Sequence, residues 1–288
     1  MQRLIVILFR MLCGGWLLFI GWLLFRALVC DQFVVPSDSM RPTLVPGDRI
    51  LVDKLIAGAR IYKRFEFGRD IPLESFRLPG RRAVRVNDVA VFNAPRGYDR
   101  KRIEFRINYV YAKRCVGTPG DTVAVCGGFF RNVRHAGPIG DTVQQRRLAE
   151  TPDSLLPRGV LRAFPQDDSL FGWTIRDMGP LYVPQAGRTI ELDERACKLY
   201  GLVVEYETGR RLRYAGGRAW LGDEPAAEYT FAQDYYFFCG DNVLDSRDSR
   251  YLGFVPAEFI IGVVRRVSYS KDPRTDRCRS DRLWHRIR

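Results

Sequence analysis

Two hydroxyls and one amine have the types and places needed to do chemistry together. Ser37 and Ser39 lie in Pro36-Ser37-Asp38-Ser39-Met40-Arg41-Pro42-Thr43-Leu44, a few residues after the most apolar stretch of the chain. Lys113 opens a second glycine-bearing run, Lys113-Arg114-Cys115-Val116-Gly117-Thr118-Pro119-Gly120-Asp121. A serine hydroxyl becomes a useful nucleophile only when a base takes its proton, and histidine is the usual base. The chain has 2 histidines, His135 in a turn-rich segment and His285 in the basic C-terminal run, neither in a convincing catalytic context. A lysine can replace histidine when burial lowers its pKa by several units from about 10.4, because leaving water disfavours the ammonium. Tyr109, Val110, Tyr111, Ala112, Cys115 and Val116 surround Lys113 with an apolar, strand-like run that would supply that burial. The pattern predicts a serine hydrolase with a lysine base. Ser268-Tyr269-Ser270-Lys271 also has a Ser-x-x-Lys spacing, but it falls at a strand end with no Lys-Thr-Gly elsewhere to complete that chemistry.

The apolar stretch fixes where such chemistry would happen. Residues 4–25 are apolar or small except Arg10, and residues 11–30 except Arg26. Either window supplies the roughly 20 residues that cross about 30 Å of hydrocarbon. A cleavable secretory signal would have a shorter core, of about 7–15 residues, and a small-x-small exit. The exit here reads Arg26-Ala27-Leu28-Val29-Cys30, so an uncleaved transmembrane anchor is predicted. Arg3 and Arg10 favour a cytoplasmic N-terminus, which puts everything after Cys30 outside the cytoplasm. Ser39 follows Cys30 by nine residues. At about 3.3 Å per extended residue the nucleophile then stays within roughly 30 Å of the membrane surface.

The formal net charge of +13 would suit nucleic acid, but the arginines are spread through mixed-sign segments without interleaved stacking aromatics, and the anchor argues against that partner. Attraction to anionic headgroups of the lipid bilayer accounts for the same charge. The 7 cysteines contain no Cys-x-x-Cys pair and no metal-ligand rhythm, so no metal or other cofactor is expected. An oxidising compartment would permit disulfides, and Cys115 with Cys126 would suit a hairpin, although spacing does not settle the pairing.

The region beyond the anchor reads as β-rich. Gly47-Asp48, Asn87-Asp88 and Gly120-Asp121 each precede a short apolar run, and residues 235–239 and 259–269 add two more. No alternation of strand and helix patterns suggests a parallel sheet. The expected organisation is a cytoplasmic N-terminus and anchor over 1–30, a first core segment over 31–121, an insertion with its own strands over 122–233, a second core segment over 234–270 and a basic tail over 271–288. A short helix is expected around 193–200. The tail reads as solvated, or as docked on headgroups through Trp284 and its arginines.

Pro36 to Leu44 resembles the nucleophile box of bacterial type I signal peptidases, membrane-bound Ser/Lys endopeptidases that remove signal peptides from exported proteins. Lys113-Arg114 with Gly117-x-Pro119-Gly120-Asp121 resembles that family's lysine box, and Asn87-Asp88-Val89-Ala90-Val91-Phe92 its intervening strand box. A fourth match runs Gly240-Asp241-Asn242, then Ser246-Arg247-Asp248-Ser249-Arg250-Tyr251, then Gly253-Phe254-Val255-Pro256. The four occur in the family's order behind an apolar N-terminal stretch. The resemblance implies a mainly β protein, an N-terminal transmembrane helix followed by an antiparallel catalytic domain of the signal-peptidase/repressor-cleavage-like β fold with a β-rich insertion.

It also implies roles. Ser39 would be the nucleophile and Lys113 the general base, with the Ser37 hydroxyl and Ser39 N–H as oxyanion donors and Ser246 orienting the amine. Arg114, Asp241, Asp248 and Arg250 would brace the site, and Phe33, Val35, Met40, Leu44 and Ala112 match positions that line pockets for small residues ahead of the cut. Two departures stand out: Val243 occupies a position where many members have Arg, and Asp38 adds a negative charge where a small residue is common. Asp38 is expected to face solvent. The implied partners are signal peptides of exported preproteins. The competing expectation is an anchored β-domain that binds exported polypeptides without cutting them. A self-cleaving repressor-type protein is disfavoured by the anchor.

Overall fold

The computed structural model describes residues 2–66, 73–95, 102–156, 160–165 and 170–287. A helix, Gln2–Leu28, takes up the apolar stretch; it has a mean hydropathy of 2.2 in its most apolar window and none of that window is buried against protein. Its length and composition are those of a membrane span. The end of the helix is tied to the first strands of the β region: Lys54 Nζ donates to Arg26 O at 2.7 Å, and Arg26 pairs with Asp31 at 2.6 Å.

The three Gly/Asn-Asp pairs start strands by one shared device. In each, the aspartate carboxylate accepts the backbone N–H three residues earlier: Val45 to Asp48 at 2.9 Å, Arg85 to Asp88 at 2.8 Å, Thr118 to Asp121 at 2.8 Å. The backbone closes the same four residues, the aspartate N–H donating to Val45 O, Arg85 O and Thr118 O at 3.0 Å. The third residue of each turn has positive φ: Gly47 at 91°, Asn87 at 74°, Gly120 at 83°. That is the type II turn, which needs Gly or Asn there. The turns launch Asp48–Asp53, Val89–Asn93 and Thr122–Cys126.

The main sheet has eight strands, antiparallel throughout. In spatial order they are Cys30–Val34, Asp48–Asp53, Ile260–Ser270, Val89–Asn93, Val110–Gly117, Tyr235–Cys239 and Val255–Pro256, with His285–Arg286 added beside Ile260–Ser270. Val89–Asn93 is buried on both faces and divides two cores. Ala90 and Phe92 belong to the large one, while Val89 and Val91 belong to a smaller one with Val35, Met40, Leu44, Ile50 and Val52. The register sets Lys113 opposite Ala90 and Arg114 opposite Val89, so strand alternation sends the two side chains to opposite faces.

Residues 122–233 carry strands of their own, among them Thr122–Cys126 paired with both Phe129–Asn132 and Met178–Tyr182. Among its described residues this stretch also holds two α-helices. Thr142–Glu150 is capped by Asp141, whose carboxylate accepts Gln144 N–H. The helix expected around 193–200 is longer, Glu194–Thr208, capped by Asp193 and ended by Gly209 at φ 68°. It runs past Gly201 because Cys197, Tyr200, Val203 and Val204 continue a buried stripe on one face.

Two expectations are corrected. All seven cysteines are free, and Cys115 and Cys126 are not paired: Cys115 is sealed in the core while Cys126 is exposed. The stretch after Ser270 is largely exposed, as a solvated segment would be, but it is not a free tail. It folds back through an isolated bridge between Lys271 and Cys278 and the turn Ser280–Arg282 before His285–Arg286 joins the sheet.

Candidate active site

The serine loop is held by its apolar residues. Val35 N–H donates to Asp48 O and Gly47 N–H to Val35 O, both at 2.9 Å, which closes the loop at its base. Met40 and Leu44 insert into the small core, joined by Leu44 N–H donating to Met40 O at 2.9 Å. That leaves Ser37 exposed and Ser39 half-buried, their Oγ atoms 3.2 Å apart. The Ser39 N–H has no acceptor among the described residues.

Lys113 reaches this loop from the strand Val110–Gly117. Its Nζ donates to Ser39 Oγ in a short hydrogen bond, and the side chain is 4% exposed. Burial pushes the amine down to about 8; Asp248 opposes that shift and Arg250 assists it. An amine with that pKa is partly neutral near neutral pH and can receive the proton of the hydroxyl it touches.

Two buried ion pairs flank this contact. Arg114 Nε and Nη2 donate to Asp241 Oδ1 and Oδ2 at 2.7 and 2.6 Å, and Arg114 Nη1 donates to Asn87 O at 2.9 Å. Arg250 Nε and Nη2 donate to Asp248 at 2.9 and 2.8 Å, and both side chains are wholly enclosed. Burial pushes the Asp248 carboxyl up, but the Arg250 charge and hydrogen bonds from Arg250 and Gly240 outweigh it and hold it below the usual range. Arg250 Nη1 also donates to Val243 O at 2.9 Å, so the residue at this position contributes its carbonyl rather than a charge.

The loop around Gly240 touches the serine directly. Asn242 N–H donates to Ser39 O and Asn242 Nδ2 to Asp38 O, each at 3.2 Å. A Cβ on Gly240 would lie 2.4 Å from Ser39 O and 2.1 Å from Ser246 Oγ, so only glycine fits. Ser246 Oγ is buried beside the Ser39 backbone; it makes no hydrogen bond of ordinary geometry, to Lys113 or otherwise, but lies near enough to Asp248 to help hold that carboxyl down. Asp38 is part-exposed and paired with Arg41.

Ser37, Ser39, Lys113, Arg114, Asp241, Ser246, Asp248 and Arg250 thus converge on one region. Phe33, Val35, Met40, Leu44 and Ala112 share the small core, but Val35, Met40 and Leu44 are buried, leaving Phe33 and Ala112 with surface to offer. Thr43, Gly240 and Asn242 have contacts here that sequence reasoning gave no role. Thr43 Oγ1 donates to Asp241 and accepts from Arg114 at 3.2 Å. The signal for Thr43 was its place inside the serine run, a polar residue between Met40 and Leu44. Among the described residues no group of three or more His, Cys, Asp or Glu could hold a metal ion.

Comparison with known proteins gives this geometry a family. The model of the family described as signal peptidase, peptidase S26, matches residues 6–155 and 203–269. The chain is 27% identical over 250 residues to a signal peptidase I of Pseudomonas aeruginosa, covering 83% of this chain. It spans 65% of the length of that relative. It is 23% identical over 264 residues to a signal peptidase I of Buchnera aphidicola, covering 88% of this chain and 73% of the relative. To a signal peptidase I of Rickettsia akari it is 25% identical over 249 residues, covering 86% and 74%. The matched segments carry the serine loop, the lysine strand and the loop from Gly240 to Arg250, and the chain belongs to the signal peptidase family, peptidase S26.

Proposed function

We propose that this protein is a membrane-bound serine endopeptidase that removes N-terminal signal peptides from exported preproteins. The observation that carries the reading is the contact of Lys113 Nζ with Ser39 Oγ, by a buried amine whose pKa is about 8. With the amine neutral, its lone pair takes the Ser39 proton as Oγ attacks the scissile carbonyl; the ammonium then returns that proton to the leaving amine. The oxyanion meets the Ser39 N–H and the Ser37 hydroxyl, donors of a kind worth roughly 3–4 kcal/mol to a transition state. Ser246, whose buried hydroxyl makes no hydrogen bond of ordinary geometry, orients the amine once it leaves Ser39. Arg114 with Asp241, and Asp248 with Arg250, keep the strand and loop in place. Small substrate side chains seat over Phe33 and Ala112, on a floor of Val35, Met40 and Leu44.

In this reading the helix Gln2–Leu28 anchors the chain in the bacterial inner membrane with the catalytic part on the periplasmic side, where signal peptides end their apolar core. Residues 31–121 and 234–270 form the catalytic core around the 122–233 insertion. Ser39→Ala and Lys113→Ala each abolish cleavage of a preprotein with a small-x-small site, measured beside wild type in detergent. Substantial processing by either variant overturns the mechanism.

A further inference from the structure

The segment beyond Ser270 places two guanidinium groups against the back of the serine loop. Arg282 Nε and Nη2 donate to Asp48 Oδ1 and Oδ2 at 2.9 and 2.6 Å, and Nη2 also donates to Thr43 O at 2.9 Å. Arg279 Nη1 donates to Pro46 O at 2.9 Å and to Ser270 Oγ at 3.1 Å. Asp48 is fully buried at the loop's base and also holds the Val45 N–H at 2.9 Å. The start of the same segment presses on the loop as well: Lys271 N–H donates to Gly47 O, and a Cβ on Gly47 would fall 1.8 Å from Lys271 O.

Thr43 is consequently gripped from two sides. Its hydroxyl is held by Asp241 and Arg114 of the core, its carbonyl by Arg282. One hydrogen-bonded turn, Leu44 N–H to Met40 O, separates it from Ser39. A planar guanidinium can serve a carboxylate and a carbonyl at once through fixed donors, which an ammonium on a flexible stem cannot hold in the same geometry.

We infer that Arg282 is a positioning residue, which sets the Ser39 hydroxyl against the Lys113 amine by clamping the Thr43 carbonyl to the buried Asp48 carboxylate. The inference rests on Ser39 and Lys113 acting as nucleophile and base. Met40 and Leu44 already anchor the loop by burial, so what Arg282 adds is direction: it removes the freedom of the loop to slide over its own apolar contacts. Displacing a reacting group by about 1 Å can cost on the order of 100-fold in rate.

The test measures kcat and KM on a soluble peptide bearing a small-x-small site, with thermal unfolding in parallel, for full-length protein in detergent. Arg282→Ala lowers kcat by about 10- to 100-fold while KM stays within about twofold. Arg282→Lys keeps a positive charge beside Asp48 and recovers most of the unfolding midpoint, yet kcat stays low because the Thr43 carbonyl is no longer clamped. This split between stability and rate is what a merely structural ion pair would not produce. The proposal is overturned if Arg282→Ala keeps kcat within about twofold of wild type, or if Arg282→Lys restores midpoint and kcat together. Should Arg282→Ala fail to fold, Arg282→Lys alone decides by the same criterion. Activity surviving in Ser39→Ala would remove the Ser/Lys reading itself, whereas an inactive Ser39→Ala beside a fully active Arg282→Ala removes only the role of Arg282.

Discussion

Lys113 and Arg114 follow one another on the strand Val110–Gly117, are 4% and 6% exposed, and leave the strand on opposite faces. Arg114 meets the Asp241 carboxylate through two hydrogen bonds. Lys113 meets a hydroxyl. Taking either cation out of water is costly, and a bidentate carboxylate offsets that cost for the arginine. For the lysine the carboxylate that acts on it most, Asp248, is committed to Arg250, so desolvation prevails and the amine falls to about 8. Two adjacent cations of similar burial are thereby given opposite characters, one a permanent charge that fixes position and the other, in the proposed mechanism, a base.

Exchanging the cation type breaks the comparison outright. Lys113→Arg keeps length and charge but cannot give up a proton in water. Loss of a general base of this kind lowers kcat/KM by about 10²- to 10⁴-fold, and the fold persists because a guanidinium can still reach Ser39. The check is peptide hydrolysis with a circular dichroism spectrum beside it; hydrolysis within tenfold of wild type would contradict the assignment of roles.

Next in size is the removal of the carboxylate that separates the two characters. Asp248→Asn leaves Arg250 enclosed without its counter-charge, and breaking a buried pair in that way costs about 3–5 kcal/mol. Equilibrium denaturation of the full chain in detergent measures it. The same substitution sharpens the account of Lys113. Asp248 holds the amine pKa up and Arg250 holds it down, so neutralising Asp248 leaves the depressing influence unopposed. The ascending limb of kcat/KM against pH, expected near 8 in the wild type from the Lys113 amine, moves to lower pH in Asp248→Asn. An unmoved or raised limb would mean that Asp248 does not act on Lys113 through space.

How far the chain itself announced this arrangement differs from part to part. The strands that follow Gly47-Asp48, Asn87-Asp88 and Gly120-Asp121 were legible because turn chemistry is local: the glycine or asparagine, the aspartate and the closing N–H lie within four residues. Ser39 and Lys113 were legible through the absence of a suitably placed histidine and the apolar run around the lysine. Arg282 was not, because its partners Asp48 and Thr43 lie over 230 residues away and nothing near Arg282 distinguishes it from the other arginines of a charged segment. The reach of the helix Glu194–Thr208 was hidden by Gly201, which tertiary burial overrides. Gly240 became informative only once Ser39 O and Ser246 Oγ were found crowding its Cα.

The smallest effect belongs to a residue whose negative charge departs from the family pattern beside the serine. Asp38 stands between the two serines, where a nearby carboxylate would be expected to stabilise the ammonium and spoil its basicity. Its charge is instead met by Arg41 three residues on, with both side chains about half in solvent. Charges that far into water interact weakly, of order 0–1 kcal/mol for an exposed pair. Asp38 is also not among the largest influences on the Lys113 amine, of which burial, Asp248 and Arg250 come first. Asp38→Asn should therefore leave the ascending pH limb within about 0.3 units of wild type and kcat within about twofold, since exposed charges are screened over a Debye length. A clear downward displacement of the limb would show that Asp38 does reach the amine. The neutral character of Lys113 would then depend on Arg41 shielding it, and not on burial and the commitment of Asp248 alone.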